Sequence, residues 1–153
     1  MLRPTGRGYT IIEICLALAV LAILAAIALP SYSNYRERAQ IAQAMTDVAQ
    51  LQTQITQYFA DNRNFPASLA DIGQAGLLDP WGHRYQYTDL TTLQGKGKAR
   101  KDRNLVPINS DFDLWSMGKD GASVPPLTAK QSRDDIVRAN DGRFIGLASD
   151  YDR

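Results

Sequence analysis

Gly8-Tyr9-Thr10-Ile11-Ile12-Glu13-Ile14-Cys15-Leu16-Ala17-Leu18-Ala19-Val20-Leu21-Ala22-Ile23-Leu24-Ala25-Ala26-Ile27-Ala28-Leu29-Pro30 decides how the rest of the chain is read. Every residue from Ile14 to Leu29 is apolar. With Tyr9 to Ile12 the segment reaches about 20 residues, the length at which a helix crosses a bilayer. In lipid it must be helical, because no water is present to satisfy its backbone. Three readings compete. The run could be a secretory signal peptide, since Ala26-Ile27-Ala28 fits the small-x-small cleavage pattern. It could be a plain membrane anchor. It could also be a head that is cleaved in front of the run and keeps it. Glu13 separates them. A carboxylate within a membrane helix costs on the order of 2.5–3.5 kcal/mol at the bilayer centre and less near an interface. A signal peptide or an anchor has no use for that charge. A subunit that packs against copies of itself has one, because a neighbour's cation can pair with it.

The segment Gly8-Tyr9-Thr10-Ile11-Ile12-Glu13 resembles the cleavage and methylation motif of type IV pilins and pseudopilins. The resemblance implies that prepilin peptidase cuts after Gly8 and that Tyr9 becomes the methylated new N-terminus. It also implies that Glu13 pairs with the N-terminal amine of an adjacent subunit in a helical filament. The family usually has Phe where this chain has Tyr9, so an aromatic is kept. The preceding residues include Arg3 and Arg7 and no acid, which suits a cytoplasmic N-terminus. Arg36 and Arg38 lie beyond the run, so orientation rests mainly on the resemblance. Pro30 kinks or loosens a helix, or simply breaks it at the membrane exit; it matches a proline common in the family. The expected organisation is a leader at 1–8, a transmembrane and assembly helix at 9–31, and a periplasmic globular domain at 32–153.

The chain has 153 residues, enough for one modest domain. Its net charge of +1 names no partner by bulk electrostatics. Cys15 is the one cysteine, so no internal disulfide can form. It reads as a small apolar residue facing lipid or a neighbouring helix. His83 is the one histidine, which removes most catalytic triads and zinc sites. It is expected to be an exposed turn residue. No glycine-rich phosphate loop follows a strand, and Trp81 and Trp115 read as packing anchors. The chain is read as a non-enzyme.

Beyond Ser31-Tyr32-Ser33, apolar residues recur at helical spacing: Ile41, Ala44, Met45, Val48, Leu51, Ile55, Tyr58 and Phe59. This stripe is expected to pack a sheet. The helix should fade before Phe65-Pro66, and 66–72 should add a helical turn. Asp79-Pro80-Trp81-Gly82 is a turn signal. Strands are expected at 84–88, 111–117 and 143–148. The fold class is therefore α+β: one long N-terminal helix, membrane-spanning then amphipathic, packed on a small antiparallel sheet of about three strands. The resemblance supplies the ladle shape of the pilin fold. Lys96-Gly97-Lys98-Ala99-Arg100-Lys101-Asp102-Arg103 is a basic run. It has no interleaved aromatic to stack bases, so it reads as a solvated hairpin rather than a nucleic-acid surface.

Asp79 to Gly82, Ser116 to Gly121 and Asp134-Asp135-Ile136 together are most similar to the major pseudopilin of type II secretion systems. That resemblance implies a calcium loop with Asp120, Asp134 and Asp135 as side-chain ligands and backbone carbonyls near Met117 and Ser132 as further oxygens. Calcium takes roughly six to eight oxygens, and such a site would stabilise a body that lacks a disulfide. The function implied is a structural subunit of a periplasmic pseudopilus that supports protein export. Its partners would be copies of itself, prepilin peptidase, the inner-membrane assembly platform and minor pseudopilins. Two alternatives stay open. One is a structural or minor pilin of an adhesive, motile or DNA-uptake pilus; such pilins often carry a C-terminal disulfide, which this chain cannot form. The other is a secreted soluble domain cleaved after Ala28.

Overall fold

A computed structural model describes residues 8–95, 97–103 and 106–151. Positions 1–7 of the expected leader, and Lys96 of the basic run, lie outside the described residues. The chain falls into two compact units divided between Arg38 and Ala39.

Helix α1 runs from Ile11 to Asn62 without interruption, including through Pro30. A proline cannot donate to the carbonyl four residues back, yet it does not end the element here. In the first unit the large apolar side chains of α1 are exposed from Ile11 to Leu29. In the second unit the helix is amphipathic, and Ala44, Val48, Leu51 and Ile55 are buried. Their three- and four-residue steps place them on one stripe. The helix stops at Asn62; Arg63 follows in the left-handed region at φ 62°. The expected turn after Pro66 is a short 3₁₀ helix, Leu69–Ile72. Ser68 and Asp71 cap it reciprocally, and Gly73 ends it at φ 74°.

The sheet has four antiparallel strands in the order β1-β4-β5-β6: Gln86–Asp89, Phe112–Ser116, Ile136–Ala139 and Phe144–Leu147. A separate two-stranded hairpin joins β2, Lys101–Asp102, to β3, Val106–Pro107. The sheet thus has one strand more than expected. Strand β5 is the addition, and it lies inside the sheet. All four of its residues are buried, so it lacks the in–out alternation that betrays a half-exposed strand. Arg138 in its middle also breaks any apolar run. That arginine is 3% exposed, and its guanidinium forms a fork on Asp111 at 2.7 and 2.8 Å. It also donates to Phe112 O and Gln52 Oε1 and covers the Phe112 ring. A buried charge is tolerated because every side is paired.

Alternation along β4 sorts the core into two layers. Phe112 and Leu114 face α1, in a cluster with Val48, Leu51, Ile55, Tyr85 and Ile136. Trp115, opposite Val137, packs on the other face against Ile108, Leu127, Ala139 and Ala148. Each fully buried aliphatic or Phe side chain contributes about 1.5–3 kcal/mol.

Candidate functional site

Three groups of residues could carry function: the start of α1, the turn around His83, and the acidic loop.

At the start of α1, Gly8, Tyr9 and Glu13 are exposed. The Glu13 carboxylate Oε2 accepts from Thr10 N at 3.2 Å and from Thr10 Oγ1 at 3.3 Å. Glu13 N donates back to Thr10 Oγ1 at 3.2 Å. This is a reciprocal capping box, which satisfies backbone donors that a helix start leaves open. Sequence reasoning did not see this local role for Glu13, although Thr10-x-x-Glu13 before an apolar run is its signature. Beyond it the large apolar side chains are exposed among the described residues: Leu16 is 68% exposed and Leu29 69%. Among the described residues α1 is the one helix long and apolar enough to cross a membrane, and none of its most apolar stretch is buried. That exposure separates it from the core helix of a soluble domain. Cys15 is exposed as a free thiol.

His83 is not a solvated turn residue. Asp79, 4% exposed, accepts from His83 N at 2.8 Å and Trp81 N at 3.1 Å through Oδ1. Its Oδ2 accepts from Ser116 Oγ at 2.5 Å. The Asp-Pro-Trp-Gly turn is therefore bolted to β4. His83 Nδ1 lies 3.0 Å from Gly118 O, which can only accept, so the ring proton sits on Nδ1. A Cβ at Gly121 would fall 2.7 Å from the imidazole. The histidine braces the 118–121 turn, and both glycines there have positive φ, 64° and 67°.

The acidic loop brings Asp120 and Asp134 together but sends Asp135 elsewhere. Asp134 Oδ2 accepts from Asp120 N at 3.0 Å, and Asp120 Oδ1 accepts from Ala122 N at 2.8 Å. Asp135 is 0% exposed and faces Arg100. Arg100 Nη2 lies 2.5 Å from Asp135 Oδ2, which also accepts from Ser123 Oγ at 2.6 Å. Burial pushes Asp135 up to about 6, against the pull of Arg100, and draws Arg100 below its usual value. The Ser132 carbonyl accepts from Asp135 N at 3.3 Å, while its hydroxyl donates to Val124 O at 2.8 Å. Met117 precedes Gly118, and its side chain is half-buried. Asp135 Oδ1 is a buried oxygen with no protein partner, the one feature here that suits a cation. The set as a whole does not fit a calcium shell. Among the described residues, no three carboxylate, imidazole or thiol groups converge closely enough to hold a metal. A guanidinium already on Asp135 also repels a second cation.

Arg100 is the residue that sequence reasoning misplaced. In a run of basic residues nothing marks it out. The end of the run supplies one strand of a hairpin, β2, yet Ala99 and Arg100 before it are each 2% exposed rather than solvated.

Comparison with known proteins follows the same outline. A fimbrial protein of Neisseria meningitidis serogroup B is 33% identical over 141 residues, covering 87% of this chain and 83% of its own length. The type IV major fimbrial protein FimA of Dichelobacter nodosus is 32% identical over 124 residues, 80% of this chain and 78% of its own. The type II secretion system core protein G of Dickeya chrysanthemi is 28% identical over 136 residues, 75% of this chain and 78% of its own. No family model and no solved structure matches. Likeness at this level across most of both chains, together with the long helix and its antiparallel sheet, makes the chain a member of the type IV pilin-like family.

Proposed function

We propose that the chain is a structural subunit of a periplasmic pseudopilus in a type II secretion system. It would be stored in the inner membrane as a single-pass precursor, trimmed after Gly8, methylated at Tyr9 and polymerised through α1. The observation that carries the filament reading is the wholly exposed apolar stretch of α1, begun by an acid. Such a surface must be covered, first by lipid and then by sister helices. The finer choice rests on two supports: a body without cysteine, and the likeness to core protein G.

A pilus subunit is the second reading. It is favoured by the fimbrial relative, which aligns over 87% of the chain against 75% for core protein G. The two readings differ in what a deletion removes. Loss of exported proteins from the culture medium with surface pili intact supports the pseudopilus. Loss of surface pili with export intact overturns it.

Glu13 has two candidate roles, capping its own helix and pairing with a neighbour's amine, and one substitution separates them. Glu13→Gln keeps a polar cap but removes the charge. The expected result is a processed protein, shortened to a Tyr9 N-terminus by mass spectrometry, that forms no filaments. Filaments of normal length from Glu13→Gln would leave the amine without need of a carboxylate and end the pairing model. A mature N-terminus at Leu29 would end the filament reading altogether.

A further inference from the structure

We propose that Arg100 supplies the cation of the acidic loop: its guanidinium, not a bound metal, closes the 117–135 loop onto the sheet. This goes beyond the filament reading and is independent of which filament the chain serves.

The argument starts from what the loop needs. It leaves β4 at Ser116 and returns at Ile136 as β5, opposite the residue it left. A connection of this length costs entropy to close and must be tied at several points. It also carries Asp135 to full burial, which a bare carboxylate does not survive without a counter-charge.

Arg100 meets both needs at once. Nη2 pairs with Asp135 Oδ2 at 2.5 Å. Nη1 donates to Ser123 Oγ at 2.5 Å and to Val124 O at 2.8 Å, the middle of the loop. The guanidinium lies over the Trp115 ring, 5.0 Å from its centroid, so β4 forms its floor. Arg100 N donates to Asp113 Oδ2 at 2.7 Å. One residue therefore joins the basic hairpin, β4, the mid-loop and the start of β5. The neighbouring backbone repeats the tie. Lys101 N donates to Pro125 O and Leu127 N donates to Lys101 O, each at 2.9 Å. The Pro125-Pro126 pair thus docks beside β2 as an extra parallel rung.

A planar fork suits this place in a way that a spherical ion does not. It reaches a carboxylate, a hydroxyl and a carbonyl while its flat face rests on an indole. A divalent ion at Asp135 would have to displace it, and one oxygen of each of the other carboxylates, Asp120 and Asp134, already accepts a backbone amide.

The test uses the full-length chain in detergent. Melting is followed by near-ultraviolet circular dichroism in excess chelator and in millimolar calcium. Wild-type protein is expected to melt within about 1 °C in the two conditions. Arg100→Met leaves Asp135 with the Ser123 hydroxyl but without its counter-charge and should lower Tm by roughly 10 °C. Arg100→Met combined with Asp135→Leu removes both charges and should recover most of that loss. Arg100→Lys keeps the charge but loses the fork, and should speed amide exchange at 122–124 while leaving 44–55 of α1 unchanged. A wild-type Tm that rises by several degrees with calcium overturns the proposal. So does an Arg100→Met protein as stable as wild type. If Arg100→Met is not recovered folded, the double variant decides: a folded double variant supports the latch, and one no better than the single overturns it.

Discussion

The two halves of α1 are one unbroken helix with opposite demands on solvent. Between Ala44 and Ile55 the apolar side chains vanish against the sheet; Val48 and Ile55 are 0% exposed. Between Ile11 and Leu29 side chains of the same types stand open, with Ile11 at 84%. Backbone geometry is shared, so the difference lies in what covers each half. The second half is completed by its own chain. The first half is left exposed among the described residues, and on the filament reading it is completed by lipid and then by sister helices. A helix made entirely for its own core would bury both halves, as one made entirely for a membrane would bury neither.

That contrast can be broken most sharply in the buried half. Leu51→Ala removes a side chain from the centre of the helix–sheet cluster and should cost about 2–5 kcal/mol in denaturant titrations of the detergent-solubilised chain. A loss below about 1 kcal/mol would mean that this half is not a core. Gly142→Ala should come next, at roughly 1–3 kcal/mol. A Cβ there would fall 2.4 Å from Gln52 Oε1, at a φ of 88°. Gln52 also accepts from Arg138, so the strain reaches the middle of the sheet. Replacing Gln52 by Ala in the same chain should relieve part of it.

At the exposed end, Thr10→Ala removes the hydroxyl of the capping box and should cost about 0.5–2 kcal/mol of local helix stability, read as faster amide exchange at 11–14. The melting temperature of the body should not follow. Leu18→Ala is the smallest effect and the most telling. Its side chain is 60% exposed, so subunit stability should stay within about 0.5 kcal/mol of wild type while filament yield falls. A large loss of subunit stability from Leu18→Ala would erase the distinction between the two halves.

Both halves of the helix were legible in the sequence, because periodicity and uninterrupted apolarity are strong local signals. Strands β1, β4 and β6 were legible from aromatic and alternating residues at 84–88, 111–117 and 143–148, with ends shifted by a residue or two. Strand β5 was hidden because it is buried on both faces and carries Arg138, whose partners Asp111 and Gln52 are 27 and 86 residues away along the chain. Arg100 was hidden for the same reason. Nothing beside it in sequence distinguishes it from the lysines around it, and its worth comes from Ser123, Val124 and Asp135, which only the fold brings near. Long-range charge pairing leaves no local trace. The Thr10–Glu13 box is the reverse case: its pattern was on the surface of the sequence, masked by the larger question of why an acid sits there at all.

The same box bears on how a waiting subunit avoids trouble. On the filament reading, Glu13 is not a naked charge while it idles, since the threonine behind it occupies its oxygen. Joining a fibre then means trading a private bond for a shared one, so the carboxylate adds to the drive to polymerise only the difference between two partners, and the rest comes from covering the apolar stretch.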